Sequence, residues 1–186
     1  MPHVPSPLRL NEHRSALLVI DLQEKLCPVI PAATTVETEV RRLVDAAVQM
    51  SIPAAATVQY PRGLGPLIPS LRRDFPNPEE KFDFSAAVCR QSIDAWLQAG
   101  RDQIVIAGIE THICILQTVL DLLAEGIRPF VAVQAVAARH SLDHDLALHR
   151  MRDCGATLIS VESVLFEWLQ TADRPEFKLI SRMVKS

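Results

Sequence analysis

Short apolar segments alternate with amphipathic segments of helical length along most of this 186-residue chain. The apolar segments are rich in β-branched residues, which is typical of strands buried on both faces of a parallel sheet. Several of the longer segments end at a glycine, a common cap at the C-terminus of a helix. The predicted strands are Ser15–Asp21, Pro53–Val58, Asp102–Gly108, Arg128–Val133 and Ala156–Ser160. The predicted helices are Thr35–Met50, Ser92–Ala99, Thr111–Glu125, Ser141–Asp153, Val161–Leu169 and Pro175–Val184.

This alternation predicts an α/β fold, because parallel neighbouring strands need crossover connections that are usually helices. We expect three α/β/α layers around a mostly parallel sheet of about six strands. The stretch Pro61–Pro78 is rich in proline, glycine and arginine and is expected to be an extended loop. No repeat or low-complexity tract divides the chain, so residues 1–186 are expected to form a single domain.

Charge and hydropathy argue against several classes of partner. The formal net charge is -3 and no basic block is present, so nucleic acid is not an expected partner. No apolar run is long enough to cross a membrane, and Met1–Leu10 does not resemble a secretory signal. The four cysteines are far apart, which favours reduced thiols and a cytoplasmic location.

Candidate functional residues follow the ends of the predicted strands. In open α/β sheets, ligands bind at the carboxyl ends of the strands. This rule selects Asp21, Gln59 and the segment Gly108–Cys114. A thiol near a helix N-terminus lies in a positive field with free backbone N–H groups, which favours the thiolate and offers an oxyanion hole. Cys114 is therefore a candidate nucleophile, although a buried core thiol is the common alternative.

Two further residues have both a structural and a functional interpretation. Asp21 is either a turn cap or a proton acceptor beside the thiol. Lys81, taken alone, is typical of a solvated surface lysine, but beside Asp21 and Cys114 it would supply a cation to the thiolate and to a developing oxyanion.

Three separated stretches resemble the isochorismatase-like hydrolases, the superfamily that includes nicotinamidases and carbamoylsarcosine amidohydrolases. They are LLVIDLQ at 17–23, KFDFS at 81–85 and GIETHIC at 108–114, in the family's order and spacing. A weaker fourth match is ARHS at 138–141. The resemblance implies a triad of Asp21, Lys81 and Cys114. It also implies a cis peptide bond at Ile109–Glu110 and an oxyanion hole formed by the backbone N–H groups of Glu110 and Cys114.

The chain also departs from parts of that superfamily. Nicotinamidases hold a metal ion with an aspartate and histidines after the second strand, whereas the matching stretch Thr57–Pro66 contains no Asp, Glu or His. The resemblance is therefore to a less characterised isochorismatase-domain branch, with no metal site and no cofactor expected. Isochorismatases proper lack the cysteine, so Cys114 argues against that activity. Gln59, Phe84 and Glu110 are expected to line the substrate pocket.

The remaining histidines and cysteines are interpreted as structural. His140, His144 and His149 have spacing that permits a metal site, but we expect their side chains to point apart. His112 is two residues from Cys114, and such positions do not face each other on a helix, so it is not assigned as the base. The other three cysteines are expected to be packing residues; they are Cys27, Cys89 and Cys154.

Together these observations predict a metal-independent cysteine hydrolase that cleaves a small carboxamide or related C–N bond through a covalent acyl-enzyme. The expected partners are a small-molecule substrate and further copies of the chain in a homo-oligomer, with neither nucleic acid nor membrane involved. One alternative is a protein that keeps the fold and the thiol but acts through protein partners or as a redox-sensitive thiol.

Overall fold

The computed structural model describes residues 4–185, and its centre is one six-stranded sheet. All five strand pairings are parallel, and the strand order is β3-β2-β1-β4-β5-β6. The strands are β1 Ser15–Ile20, β2 Ala54–Gln59, β3 Glu79–Lys81, β4 Gln103–Ile109, β5 Arg128–Ala137 and β6 Thr157–Ile159.

Helices cover both faces of the sheet. The α-helices are α1 Ala33–Gln49, α2 Pro61–Leu64, α3 Arg90–Gln98, α4 Leu116–Ala124, α5 Ser141–Asp153, α6 Val161–Leu169 and α7 Phe177–Met183. Leu43 of α1 and Trp168 of α6 lie in the core of one face, and Ile93 of α3 and Val119 of α4 lie in the core of the other. The predicted three-layer α/β fold is confirmed, and the sheet is parallel throughout.

The structure differs from the predicted elements in three places. The short strand β3 was not predicted, because its sequence Glu-Glu-Lys lacks the apolar residues that mark a buried strand. The predicted loop Pro61–Pro78 contains the short helix α2 and a 3-10 turn at Pro69–Leu71. The helix predicted over Thr111–Glu125 begins with a π-helical turn at Thr111–Ile115 and continues as α4.

The direction of chain progression reverses between β1 and β4. The chain passes from β1 to β2 and β3 on one side, and the later strands β4, β5 and β6 lie on the other side. Such a switch point leaves a crevice at the carboxyl ends of the two central strands, because their connections diverge to opposite sides. Asp21 follows β1 and Glu110 follows β4, so both residues lie at this crevice.

Candidate active site

Asp21 is a fully buried carboxylate at the end of β1. Its backbone has a φ of 56°, in the left-handed region that is uncommon for residues other than glycine. The Thr57 hydroxyl donates a hydrogen bond of 2.7 Å to Oδ1, and Lys81 Nζ lies 2.7 Å from Oδ2. Both carboxylate oxygens are therefore paired, as burial of a charge requires.

Lys81 is also buried, because β3 brings it to the carboxyl edge of the sheet beside Gln59. Its ammonium donates to Asp21 Oδ2, to Gln59 Oε1 at 2.6 Å and to the Phe84 carbonyl at 3.0 Å. The Asp83 carbonyl lies farther away, at 3.3 Å. An ammonium has three protons, so the near acceptors already use its donor capacity. The interpretation of Lys81 as a surface lysine is thus wrong.

Gln59 holds this network in place. Its Oε1 accepts from Lys81, and its Nε2 donates to the Phe82 carbonyl at 2.7 Å. The Gln59 amide is therefore occupied at both ends, and its visible function is to orient Lys81. The Phe84 side chain is 54% exposed and lines a separate cavity of about 500 Å³ on the outer side of the Lys81 loop.

Gly108 lets β4 approach β1 more closely than any other residue would. Its φ is 123°, and a Cβ added there would lie 2.0 Å from the Ile20 carbonyl oxygen. The Ile109–Glu110 peptide bond that follows is cis. The π-helical turn Thr111–Ile115 then begins, and π turns occur frequently at functional sites.

Cys114 lies in this π turn, close to the buried ion pair. Its thiol lies near enough to the Asp21 carboxylate and the Lys81 ammonium for both charges to act on it, and the residue is 6% exposed. Burial, followed by the charge of Asp21, raises the pKa of Cys114 to about 12, and Lys81 opposes this only in part. Burial and Asp21 thus oppose the helix N-terminus, which by itself favours the thiolate. The site holds a neutral thiol with an adjacent carboxylate that can accept its proton.

Glu110 and Arg139 form a second wall at the carboxyl ends of β4 and β5. Glu110 Oε2 accepts from both the backbone N and the Nε of Arg139, each at 3.0 Å. Next to Arg139 is a cavity of about 550 Å³ that is also lined by His140 and His144. His144 Nδ1 lies 2.9 Å from the Thr111 hydroxyl, and burial lowers the pKa of His144.

The other cysteines and histidines have different surroundings from Cys114. Burial raises the pKa of Cys89 to about 12, whereas Cys154 is exposed, so the expectation that Cys154 packs in the core is wrong. His112 Nε2 lies 3.9 Å from Asp143 Oδ2. Among the described residues, the structure shows no contact between His112 and the Cys114 thiol. Within residues 4–185, no three His, Cys, Asp or Glu side chains are placed to hold a metal ion, and no helix is long and apolar enough to span a membrane.

Sequence reasoning selected the members of this site but missed their supports. Thr57 and Arg139 are the main omissions. Thr57 has a usable signal, because it lies on β2 in register with Ile20, next to Asp21. Arg139 follows Ala137, which pairs with Ile109, so register again places it beside Glu110. Neither signal can be used until the strand order is known.

Comparison with protein families gives one assignment over most of the chain. The model described as "Isochorismatase domain" matches residues 15–163. Isochorismatase domain-containing protein 2 of Danio rerio is 36% identical over 95% of this chain and 89% of its own length. The protein named secreted isochorismatase effector Isc1 of Phytophthora sojae is 35% identical over 95% of this chain and 87% of its own.

Solved structures agree with this assignment. The structure described as MAR1 ribonuclease from Caenorhabditis elegans has a TM-score of 0.89 and 35% identity, covering 96% of this chain and 93% of that one. YcaC from Pseudomonas aeruginosa, described with covalent acrylamide, has a TM-score of 0.85 and 27% identity, covering 97% and 93%. The chain therefore belongs to the isochorismatase family of hydrolase-fold proteins.

Proposed function

We propose that this protein is a metal-independent cysteine hydrolase that cleaves the C–N bond of a small carboxamide through a thioester intermediate. The observation that carries the proposal is the proximity of the Cys114 thiol to the buried Asp21–Lys81 ion pair, whose two charges both act on it. A nucleophile beside a general base that is itself oriented by a third group is the arrangement that covalent catalysis requires. The proposal treats residues 1–186 as one catalytic domain.

Acylation begins with proton transfer from the Cys114 thiol to the Asp21 carboxylate. The sulfur forms a bond to the amide carbon, and the carbonyl electron pair moves onto oxygen. Backbone N–H groups of Glu110 and Cys114 stabilise this oxyanion. When the tetrahedral intermediate collapses, the C–N bond breaks, and protonated Asp21 gives its proton to the leaving nitrogen. Ammonia or an amine departs, and the acyl group remains on sulfur.

In deacylation, the Asp21 carboxylate again accepts a proton and then returns it. Asp21 takes a proton from water as the water oxygen adds to the thioester carbonyl. Collapse of the second tetrahedral intermediate breaks the C–S bond, and Asp21 returns the proton to sulfur. The carboxylic acid product departs and the resting thiol is restored, so atoms and protons balance over the cycle.

Lys81 stabilises negative charge through its position. Its protons are shared among Asp21, Gln59 and the Phe84 carbonyl, so its main contribution is a fixed cation beside the sulfur. This cation offsets the charge that develops on the thiolate and the oxyanion, a function that a metal ion serves in other hydrolases. We therefore expect activity to survive prolonged treatment with a chelator.

The decisive experiment measures ammonia release from a panel of small amides and looks for the acyl-enzyme by mass spectrometry of the intact protein. We expect an added acyl mass that maps to Cys114 and is lost in Cys114→Ala. Cys89→Ala is the matched control, because Cys89 is also buried and also lies in the field of Asp21 and Lys81. Substantial turnover by Cys114→Ala would contradict the covalent mechanism.

The description of YcaC with covalent acrylamide supports a reactive nucleophile on this fold, because acrylamide adds readily to thiols. The name of the Caenorhabditis elegans relative favours a second candidate, ribonuclease activity. RNA binding relies on clustered Lys and Arg, whereas this chain has a net charge of -3 and no basic block. RNA cleavage that disappears in Cys114→Ala would favour the second candidate over amide hydrolysis.

The alternative of a thiol protein without turnover is separated from the hydrolase by the same amide panel. If no amide is hydrolysed and Cys114 oxidises reversibly, the redox interpretation replaces the proposed one. We place the protein in the cytoplasm, where its free cysteines stay reduced, although the name of the Phytophthora relative describes a secreted protein.

We also propose a homo-oligomer. Exposed aromatic residues cluster around the Lys81 loop; they are Tyr60, Phe82 and Phe84, and the first two rings lie 5.9 Å apart. Large exposed apolar patches often mark contacts between proteins. Light scattering coupled to size-exclusion chromatography measures the oligomeric state directly, and a monomer at micromolar concentration would contradict the proposal.

A further inference from the structure

A threonine hydroxyl links the segment that carries the nucleophile to the segment that follows Lys81. Thr118 lies on α4 and its side chain is fully buried. Its hydroxyl donates a hydrogen bond of 2.6 Å to the Cys114 carbonyl and accepts one of 2.7 Å from the backbone N of Ala86. The hydroxyl therefore uses its only proton on one segment and a lone pair on the other.

On one side, the Thr118 hydroxyl reaches the backbone of the nucleophile. A threonine within a helix can donate to the carbonyl four residues earlier, and here that carbonyl belongs to Cys114. The turn that carries Cys114 has π register, since Ile115 N donates to the Glu110 carbonyl five residues earlier. The hydroxyl thus adds a bond to the Cys114 backbone at the place where the helix changes from π to α register.

On the other side, the Thr118 hydroxyl reaches the loop that orients Lys81. Ala86 begins the 3-10 turn Ala86–Val88, which packs against α4. Two residues earlier along the chain, the Phe84 carbonyl accepts a hydrogen bond of 3.0 Å from Lys81 Nζ. Because Ala86 is fully buried, solvent has no direct access to its N–H, and the hydroxyl satisfies that donor.

The sheet itself does not hold the nucleophile beside the ion pair. Pairing of β1 with β2 and of β2 with β3 sets the positions of Asp21 and Lys81 relative to each other. In contrast, β3 and β4 are separated by two strands, and Cys114 lies beyond the end of β4. The placement of Cys114 relative to Lys81 therefore depends on contacts outside the sheet, and the Thr118 hydroxyl bonds to both segments.

We propose that Thr118 is a positioning residue that sets the place of the Cys114 thiol relative to the Asp21–Lys81 ion pair. The catalytic consequence rests on the proposed function, whereas the effect on the thiol does not. Without the hydroxyl, the two segments lose their shared bond, and the thiol is held less closely in its buried position. Burial and Asp21 raise the pKa of Cys114 more than Lys81 lowers it, so looser placement should lower that pKa and speed alkylation.

Four side chains at position 118 separate the effect of the hydroxyl from that of volume. Threonine and serine supply a hydroxyl, whereas valine and alanine do not, and within each pair the two members differ in size. Alkylation of Cys114 by iodoacetamide is followed by mass spectrometry of the peptide that contains it. We expect Thr118→Val and Thr118→Ala to react at least about threefold faster than wild type, as a fall of about 0.5 in the pKa requires, and Thr118→Ser to stay within about twofold.

Leu122→Ala is the matched control for a general loss of stability. Leu122 is a fully buried core residue on the same helix, and its truncation lowers the free energy of unfolding by leaving a cavity while the Thr118 hydroxyl stays in place. We expect its alkylation rate to match that of wild type. With a confirmed amide substrate, the two variants that lack the hydroxyl should also show a kcat lower by about tenfold and a nearly unchanged KM, because positioning acts on the chemical step.

The outcomes separate this inference from the proposed function. Alkylation at or below the wild-type rate in both Thr118→Val and Thr118→Ala overturns the inference, as does equal reactivity of Thr118→Ser and Thr118→Ala. Equal acceleration in Leu122→Ala also overturns it, because the effect would then follow stability. If Thr118→Val does not fold, the comparison of Thr118→Ala with Thr118→Ser still isolates the hydroxyl. If alkylation follows the hydroxyl but no amide is hydrolysed by wild-type protein, the proposed function fails and the positioning of the thiol stands.

Discussion

The two walls of the site differ in how their polar groups are satisfied. On the β1–β3 wall, Asp21 and Lys81 have no exposed side-chain surface, and each polar atom of the pair is bonded within the protein. On the β4–β5 wall, Arg139 is half exposed and has unused donors. The first wall is suited to chemistry, which needs fixed geometry. The second is suited to recognition, where the ligand completes the hydrogen bonding.

The largest expected effect comes from breaking the buried wall at its cation. Lys81→Met leaves the Asp21 carboxylate buried without its counter-ion, so the free energy of unfolding should fall by about 3–5 kcal/mol. Denaturant unfolding measures this change. Adding Asp21→Asn to the variant should recover part of the loss, because the pair then carries no unpaired charge. Two losses that simply add would contradict the strong coupling of the pair.

Removing the carboxylate alone should also reduce catalysis strongly. In Asp21→Asn, kcat/KM should fall by about 10²–10⁴, the usual contribution of a general acid–base group. The negative charge of Asp21 raises the pKa of Cys114, so its removal should lower that pKa. Thiolate absorbance in a Cys89→Ala background measures the shift. A rise in the pKa would contradict the proposed contact.

A smaller effect is expected at the support of the carboxylate. Thr57→Val removes the hydroxyl that donates to Asp21 Oδ1 while preserving side-chain shape. One buried hydrogen bond to a charged group contributes about 1.5–3 kcal/mol. Thr38→Val is the matched control, since its hydroxyl bonds only a helix carbonyl at an exposed position. Equal unfolding free energies for the two variants would show that Thr57 does not support Asp21.

The smallest effect should come from the open wall. His144→Ala removes the bond to Thr111 and should cost about 0.5–1.5 kcal/mol at neutral pH. Burial lowers the pKa of His144, so the neutral ring is favoured in the folded protein and its stabilisation is lost as pH falls below about 6.5. The difference from wild type should therefore shrink in acid.

The sequence predicted the layers of this fold well, because apolar segments buried on both faces, such as Ser15–Asp21, have a strong local signal. It did not predict β3, whose three residues are charged and which forms by pairing with Thr57–Gln59 of β2 at the sheet edge. Three charged residues show no apolar alternation, so no sequence pattern marks them as a strand.

The candidate site likewise has features that the sequence predicts and features that it does not. Asp21, Lys81 and Cys114 follow from strand ends and from three motifs, so they can be read along the chain. The helix N-terminus, which favours a thiolate, is visible in the sequence, whereas the burial beside Asp21 that raises the pKa of Cys114 is not. Long-range contacts decide that balance, and they appear only after folding.

Gly108 sets the separation between the strand that carries the acid and the strand that leads to the nucleophile. Because even one methyl group would overlap the Ile20 carbonyl, any larger residue must push β1 and β4 apart at the point where Asp21 and Glu110 begin. Gly108 thus sets the minimum distance between these two strands. Its replacement by alanine should impair the positions of the acid and of the nucleophile together, although residue 108 contributes no functional group to the site.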